Sequence, residues 1–134
     1  ALAQMVFGDP EQLRKLNAIV HPAVRERSLR LFRQYGERDP HAIVIYVAAI
    51  LVETGSWRDF DKLIVADCSR QTQISRAVLR SGSPEAEISA RLDRQLPSAE
   101  KRRCADYVID TNGTAEDTVR QTKMVYEELR KLAS

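Results

Sequence analysis

The sequence predicts an α/β fold built on a parallel sheet, and three observations carry that reading. "AIVIYVAAILV", "KLIVAD" and "YVI" are short, continuously apolar runs rich in β-branched residues. Stretches of helical periodicity lie between and after them, and cap or proline signals stand directly before several of those stretches. Strands that alternate with helices pair in parallel and are joined by right-handed crossovers.

Taken in order, Asp9-Pro10-Glu11 is a helix start: an N-cap, then proline where no donor is needed, then an acid in the first turn. A second helical pattern follows, with Val20, Val24, Ser28, Leu31, Phe32 and Tyr35 on one face, and His21-Pro22 marks the joint between the two. Gly36 and Asp39-Pro40 end this unit. The run from Ala42 to Val52 reads as a strand buried on both faces, and "KLIVAD" as a second. Ser69 caps a helix running to Arg80, with Gly82 just past its end. Ser83-Pro84-Glu85 opens another, on which Ile88, Leu92 and Leu96 form a narrow stripe. "YVI" is a third strand. Thr114 and Asp117 have capping-box spacing and start a final helix with Val119, Thr122, Tyr126 and Leu129 inward.

The totals exclude several classes. A chain of 134 residues suits one domain, and 43% hydrophobic with 30% charged residues is an ordinary globular composition. The net charge of only +2 supplies no global field for a nucleic-acid or membrane partner, so any basic site is local. The longest apolar run is too short to span a bilayer, and no basic-then-apolar leader precedes it. Cys68 and Cys104 form no C-x-x-C pair and no cluster with His21 or His41, which argues against a zinc site. Both read as reduced thiols of a cytoplasmic protein, although the sequence leaves a disulfide between them open.

In open α/β sheets ligands sit beyond the carboxyl ends of the strands, where Glu53, Asp67 and Asp110 stand here. Such acids serve as turn formers or caps as readily as site residues. The Ser83–Leu96 helix has a thin apolar stripe set among Arg91, Arg94 and Gln95, with Arg76 and Arg80 before it and Lys101 to Arg103 after it. One reading is a solvated helix whose cations pair with Glu85, Glu87, Asp93 and Glu100. The other is a weakly held cover that closes over polyphosphate. Asn112-Gly113 supplies a tight turn at a strand's carboxyl end, a place that also presents backbone groups to a base. His21, next to a proline, is either structural or a ligand to phosphate or sugar. No G-x-x-x-x-G-K-[ST] loop occurs in the sequence, whose five glycines are scattered singly.

Laid out in this way, the chain resembles the C-terminal two-thirds of the dephospho-coenzyme A kinase family. "VFGDPEQLRKLNAIVHPAVR" is similar to the opening of that family's substrate domain, where a D/N-P-E helix leads to a His-Pro pair. "AAILVETG" is similar to its Pro-Leu-Leu-Phe/Val-Glu strand end, with Ala49 in place of the usual proline. "SRQTQISRAVLRSGSPEAEISARLDRQLPSAEKRRCADYVIDTNG" resembles its lid: arginines after a strand, then A-R-x-x-x-Q, K-R and A-D-x-V-I-D-N-x-G. The last block is the most specific, because several spaced features coincide.

The resemblance implies ATP-dependent phosphorylation of the ribose 3′-hydroxyl of dephospho-CoA, with Mg2+, on a P-loop nucleotide-kinase fold. Residues 9–41 would be the helical acceptor-binding region, 42–75 and 105–134 the core, and 76–104 the lid. His21, Arg25 and Glu53 would then serve the acceptor. Arg76, Arg80 and Arg91 would stabilise phosphate charge. Gln95 and Arg102 would join them on ATP, and Asn112 and Gly113 would flank its adenine.

The family's Walker A loop and magnesium-holding residues fall before the point where this sequence begins, so an N-terminal segment with the P-loop strand is expected to be missing from it. By this reading the 134-residue polypeptide alone is a poor or inactive kinase, its sheet left with an unpaired apolar edge. The alternative is a P-loop-less module that binds a nucleotide or CoA-like ligand, or a partner chain, without catalysis. A strand followed by G-x-x-x-x-G-K-[ST] encoded upstream of Ala1 would separate the two. Another small-molecule kinase of the same fold ranks last, since it should lack the His-Pro joint.

Overall fold

The computed structural model describes residues 9–134; the first residues of the family-like block, Val6-Phe7-Gly8, lie outside them. The chain divides into two units, Ala1–Ile45 with Ala133–Ser134, and Tyr46–Leu132.

The first unit is dominated by helix α1, Pro10–Arg38. Asp9 caps it as expected: Oδ1 accepts the backbone N–H of Glu11 at 2.9 Å and of Gln12 at 3.2 Å. The expected joint at His21-Pro22 is absent, because Pro22 lies inside one continuous helix of 29 residues. An internal proline forfeits one backbone bond and costs about 3 kcal/mol. Helix-forming residues on both sides and i,i+4 pairs at Glu11–Lys15 and Glu26–Arg30 favour propagation through it. Gly36 likewise stays helical, and the helix stops at Asp39, whose N–H donates to the Tyr35 carbonyl just before Pro40. Ser28, Leu31 and Phe32 are half-buried as expected; Val20, Val24 and Tyr35 are exposed.

The expected strand over 42–52 does not form. Residues 42–48 have no regular structure, 49–55 are turns, and Val47 is 87% exposed. β-propensity makes a strand only where the backbone finds a ladder partner, and among the described residues the ladder lies elsewhere. Gly55, at φ +73°, turns the chain into a 3-10 helix at Ser56–Asp59. Tyr46 stacks on Phe60 with ring centroids 5.3 Å apart.

That ladder joins β1 (Ile64–Asp67) to β2 (Tyr107–Asp110) in parallel, with Ile64 opposite Tyr107 and Asp67 opposite Asp110. Both strands were expected. Asp106 sets the register at the entering end: its N–H donates to the Leu63 carbonyl at 2.9 Å, and its Oδ2 accepts the Leu63 N–H at 2.8 Å. At the far end the Thr111 N–H closes on the Asp67 carbonyl at 2.7 Å.

The crossover between the strands holds three helices: α2 (Arg70–Ser81), α3 (Glu85–Leu92) and α4 (Ser98–Cys104). α2 is capped by the expected residues and runs one residue past the expected Arg80, with Ser69 accepting the Thr72 N–H and Gly82 left-handed at φ +67°. The helix expected to run to Leu96 ends at Leu92, because Pro97 has no N–H for the Asp93 carbonyl, crowds that carbonyl with its ring, and disfavours helical backbone at Leu96. Leu96 therefore lies in the irregular link after that helix, and α4 is a separate element. Leu63, Ile74, Ile88 and Ile109 form the buried core, which draws on the sheet, α2 and α3.

β2 leads through Asn112-Gly113 into α5, Ala115–Leu132. Thr114 caps it, its Oγ1 accepting the Asp117 N–H at 3.2 Å. The inward face agrees with expectation at Leu129, which is half-buried, and differs elsewhere: Val119, Thr122 and Tyr126 are exposed, while Thr118, Gln121 and Val125 are half-buried. The cause is Gln121, whose amide brackets Asp110, accepting its N–H at 2.9 Å and donating to its carbonyl at 2.7 Å. A polar residue thus sets the rotation of the helix. Gln121→Leu is expected to lower the unfolding free energy by about 1 kcal/mol, read as a lower urea midpoint at unchanged slope. An unchanged midpoint would mean that α5 is oriented by other contacts.

Candidate functional site

The parallel strands end together, at Asp67 and Asp110, and beyond them opens a cleft of about 760 Å³. One wall is the β1–α2 turn, Asp67 to Arg70. The other is the turn after α3 and the first residues of α4, including Gln95, Ser98, Lys101 and Arg102, with Asn112 at the end of β2.

Hydrogen bonds tie the two strand ends across the floor of this cleft. The Ser69 N–H donates to Asn112 Oδ1 at 2.8 Å, and Asn112 donates to Asp110 Oδ1 through both its side-chain amide, at 2.7 Å, and its backbone, at 2.8 Å. Those donations from Asn112, first the backbone and then the side chain, hold the Asp110 carboxyl below the usual aspartate range. Asn112 is therefore a fixed group, its amide committed at both ends.

α4 carries the charge. Two of its three successive cations reach two different carboxylates. Lys101 Nζ meets Glu53 Oε1 at 2.7 Å, and Arg102 Nη1 meets Asp67 Oδ2 at 3.3 Å. Glu53 and Asp67 are both half-buried, with side chains 16% and 13% exposed. Each keeps one carboxylate oxygen, Glu53 Oε2 and Asp67 Oδ1, that is buried without a hydrogen-bond partner among the described residues. Burial pushes the Glu53 carboxyl up, but the Lys101 bond and backbone donors including the Leu96 N–H outweigh it, so its pKa lies below the ordinary 4.5.

Two ties hold the cover to the core. Arg70 reaches from α2 to Ser89 Oγ and Asp93 Oδ1, both at 2.7 Å, and Gln73 donates to the Cys68 carbonyl at 3.0 Å and toward Ser98 Oγ at 3.4 Å. Sequence reasoning missed Arg70, Gln73 and Ser98. Their side chains act on α3 and α4, elements whose positions no local pattern shows.

Of the residues expected at the site, Gln95, Arg102 and Asn112 line the cleft, and Glu53 joins it through Lys101 and Leu96. Arg76 stands at the end of β2, donating to the Thr111 carbonyl at 2.7 Å. Arg80 follows one turn later, exposed. Arg91 pairs with Glu87 along α3, outside the cleft wall. Gly113 sits where a Cβ would come within 3.0 Å of Asp117 Oδ2. His21 and Arg25, one turn apart and exposed, belong to α1 in the other unit. Cys68 and Cys104 are free thiols, both half-buried. Among the described residues no group of three His, Cys, Asp or Glu side chains is placed to hold a metal ion, and no helix is long and apolar enough to cross a membrane.

A parallel α/β core whose strand ends open into a polar cleft beneath an arginine-bearing helical cover is the architecture of the P-loop nucleotide kinases. Comparison with known proteins narrows the class: the family model described as dephospho-CoA kinase matches residues 1–117, and the chain belongs to that family. The dephospho-CoA kinase of Brucella melitensis is 40% identical over 120 residues, covering 90% of this chain and 60% of that protein. The one from Aquifex aeolicus is 39% identical over 130 residues, covering 97% and 64%. Among solved structures, TT1252 from Thermus thermophilus superposes with a TM-score of 0.74 at 35% identity, covering 96% of this chain and 65% of that one. A dephospho-CoA kinase from Campylobacter jejuni shares the fold, with a TM-score of 0.69 at 22% identity. The chain thus spans 60% to 65% of the length of these relatives.

The depressed Glu53 pKa makes a pH prediction. Its stabilising contribution is fully present above the ordinary value of 4.5 and is lost as pH falls through the lower folded value. The stability advantage of the native protein over Glu53→Gln should therefore shrink between about pH 5 and pH 3. At neutral pH Lys101→Met, which strands the carboxylate, should cost about 1 to 2 kcal/mol by urea denaturation. A pH-independent difference for Glu53→Gln would show that the pair contributes no net stability.

Proposed function

We propose that the protein carrying this chain transfers the γ-phosphoryl group of ATP to the ribose 3′-hydroxyl of dephospho-CoA, forming coenzyme A. The observation that carries the reading is the cleft at the strand ends of a dephospho-CoA kinase chain, with Gln95 and Arg102 on its cover and Asn112 on its floor. Phosphoryl transfer spreads charge over three phosphate oxygens, so catalysis rests on positioned cations more than on covalent chemistry by the protein.

In this reading Arg76, Arg80 and Arg91 stabilise phosphate charge. Arg76 is the best placed of them. Its guanidinium spends two donors on Thr111, at 2.7 and 3.3 Å, and keeps others for a phosphate beside the Asn112-Gly113 turn, which borders the adenine. Arg102, 55% exposed and held by Asp67, exchanges that carboxylate for nucleotide phosphate when ATP enters. Gln95 adds neutral donors. His21, Arg25 and Glu53 take the acceptor, with 9–41 as the acceptor-binding region, 42–75 and 105–134 as core, and 76–104 as a lid that closes over the phosphates. Mg2+, entering as part of the Mg-ATP substrate, would neutralise part of the phosphate charge beside these arginines. The setting proposed is cytoplasmic, with no nucleic-acid or membrane partner.

An ADP-release assay on the protein with dephospho-CoA and Mg-ATP tests the reading. Arg76→Ala is expected to lower kcat/KM about 100-fold, while Arg103→Ala, on the exposed side of α4, should stay within about twofold. Equal activity of native protein and Arg76→Ala would remove Arg76 from the phosphate site, and no dephospho-CoA-dependent ADP release would overturn the kinase reading. The isolated 134-residue polypeptide has no G-x-x-x-x-G-K-[ST] loop to cradle the β- and γ-phosphates and is expected to show no turnover.

A further inference from the structure

We propose that Lys101 is a positioning residue that couples the acceptor side of the cleft to its nucleotide side. The inference rests on the kinase reading above, which puts Glu53 with the acceptor and Gln95 with ATP.

Three consecutive cations occupy α4, and they differ in burial. Arg102 is 55% exposed, Arg103 is exposed, and Lys101 is 16% exposed. Its Nζ meets Glu53 Oε1 at 2.7 Å and Gln95 Oε1 at 2.9 Å, and the Leu96 N–H donates to the same Glu53 oxygen at 3.1 Å. One ammonium thus joins two groups more than 40 positions apart in sequence, on segments expected to serve different substrates.

The chemistry of an ammonium makes this junction directional. It has three donors and no acceptor. Gln95 must therefore turn its carbonyl oxygen toward Lys101, which leaves the amide N–H groups to face the cleft Gln95 lines. Donors are what a phosphate requires. Glu53 commits Oε1 to Lys101 and Leu96, while Oε2 is buried without a hydrogen-bond partner among the described residues. A hydroxyl-bearing acceptor that displaces the groups covering Oε2 supplies the donor it lacks. Lys101 therefore sets the polarity of two side chains at once, and a substrate that immobilises either arm immobilises the other. The second substrate then meets a group already ordered, and it binds tighter.

Calorimetry on the native protein with a non-hydrolysable ATP analogue, in the absence and presence of saturating dephospho-CoA, reads this coupling. Dephospho-CoA is expected to lower the analogue's Kd about fivefold or more. Lys101→Met should bring that ratio close to one while each ligand still binds alone, and Lys101→Arg, also a donor-only cation, should restore it. Gln95→Leu, which cuts one arm and leaves the Lys101–Glu53 pair intact, should abolish the ratio as Lys101→Met does, and it decides the matter if Lys101→Met fails to fold. A native ratio of one, or a native-like ratio in Lys101→Met or Gln95→Leu, would overturn the coupling. Native protein that binds neither ligand singly would instead overturn the kinase reading, and the coupling with it, so the two failures are told apart at the first titration.

Discussion

The register of one parallel strand pair governs the rest of this structure. Asp106 locks it at the entering end by exchanging two hydrogen bonds with Leu63, and Thr111 closes it on Asp67 at the other. Because the strands end level, Ser69 and Asn112 come within hydrogen-bond distance, and both following helices start from one floor. A slip of one residue would turn Ile109 out of the core and put Asp110 in its place. The two strands paired among the described residues are marginal by themselves. These end locks and the helices packed on them have to hold them, and Gln121 adds a third lock by fastening α5 to the Asp110 backbone.

The second constraint is electrostatic. α4 is a short helix with no buried residue, so apolar packing contributes little to its position. Lys101 and Arg102 attach it to Glu53 and Asp67, and Gln73 reaches its first residue from α2. The two cations make different attachments. The Lys101 pair is partly shielded from water, additionally hydrogen-bonded and structural in character. The Arg102 pair is longer and half exposed, and such pairs contribute little in water. One cation anchors the cover while its neighbour stays available to a ligand, which is how a weakly packed element keeps a defined place and can still respond to a bound anion.

Much of the secondary structure was legible because its signals are local. Asp9, Ser69, Gly82 and Thr114 mark helix ends through contacts that span at most four residues, and all four mark them in the structure. The short strands were legible from their continuous apolar runs. Legibility failed where a local signal competed with something distant. The apolar run at 42–52 has the composition of a strand but no ladder partner among the described residues, and so forms none. Pro22 signalled a break that the helix formers on both sides overrode, whereas Pro97 made a break that the apolar spacing of Ile88, Leu92 and Leu96 had concealed.

By itself, the sequence determined the α/β class, the family to which the chain belongs, the main caps and the residue types available at the cleft. Each of these is written in near-neighbour chemistry or in motif spacing, which survive without a fold. Only the tertiary structure decided which side chains meet. It rotated α5 by placing a glutamine, and not a valine, against the sheet. It sank one of three adjacent cations and left the next two near water. It joined Glu53 to Gln95 through a lysine that no spacing rule connects to either. Those choices are made by packing and desolvation between different elements, as far apart in sequence as Glu53 and Leu96, and no local pattern contains them.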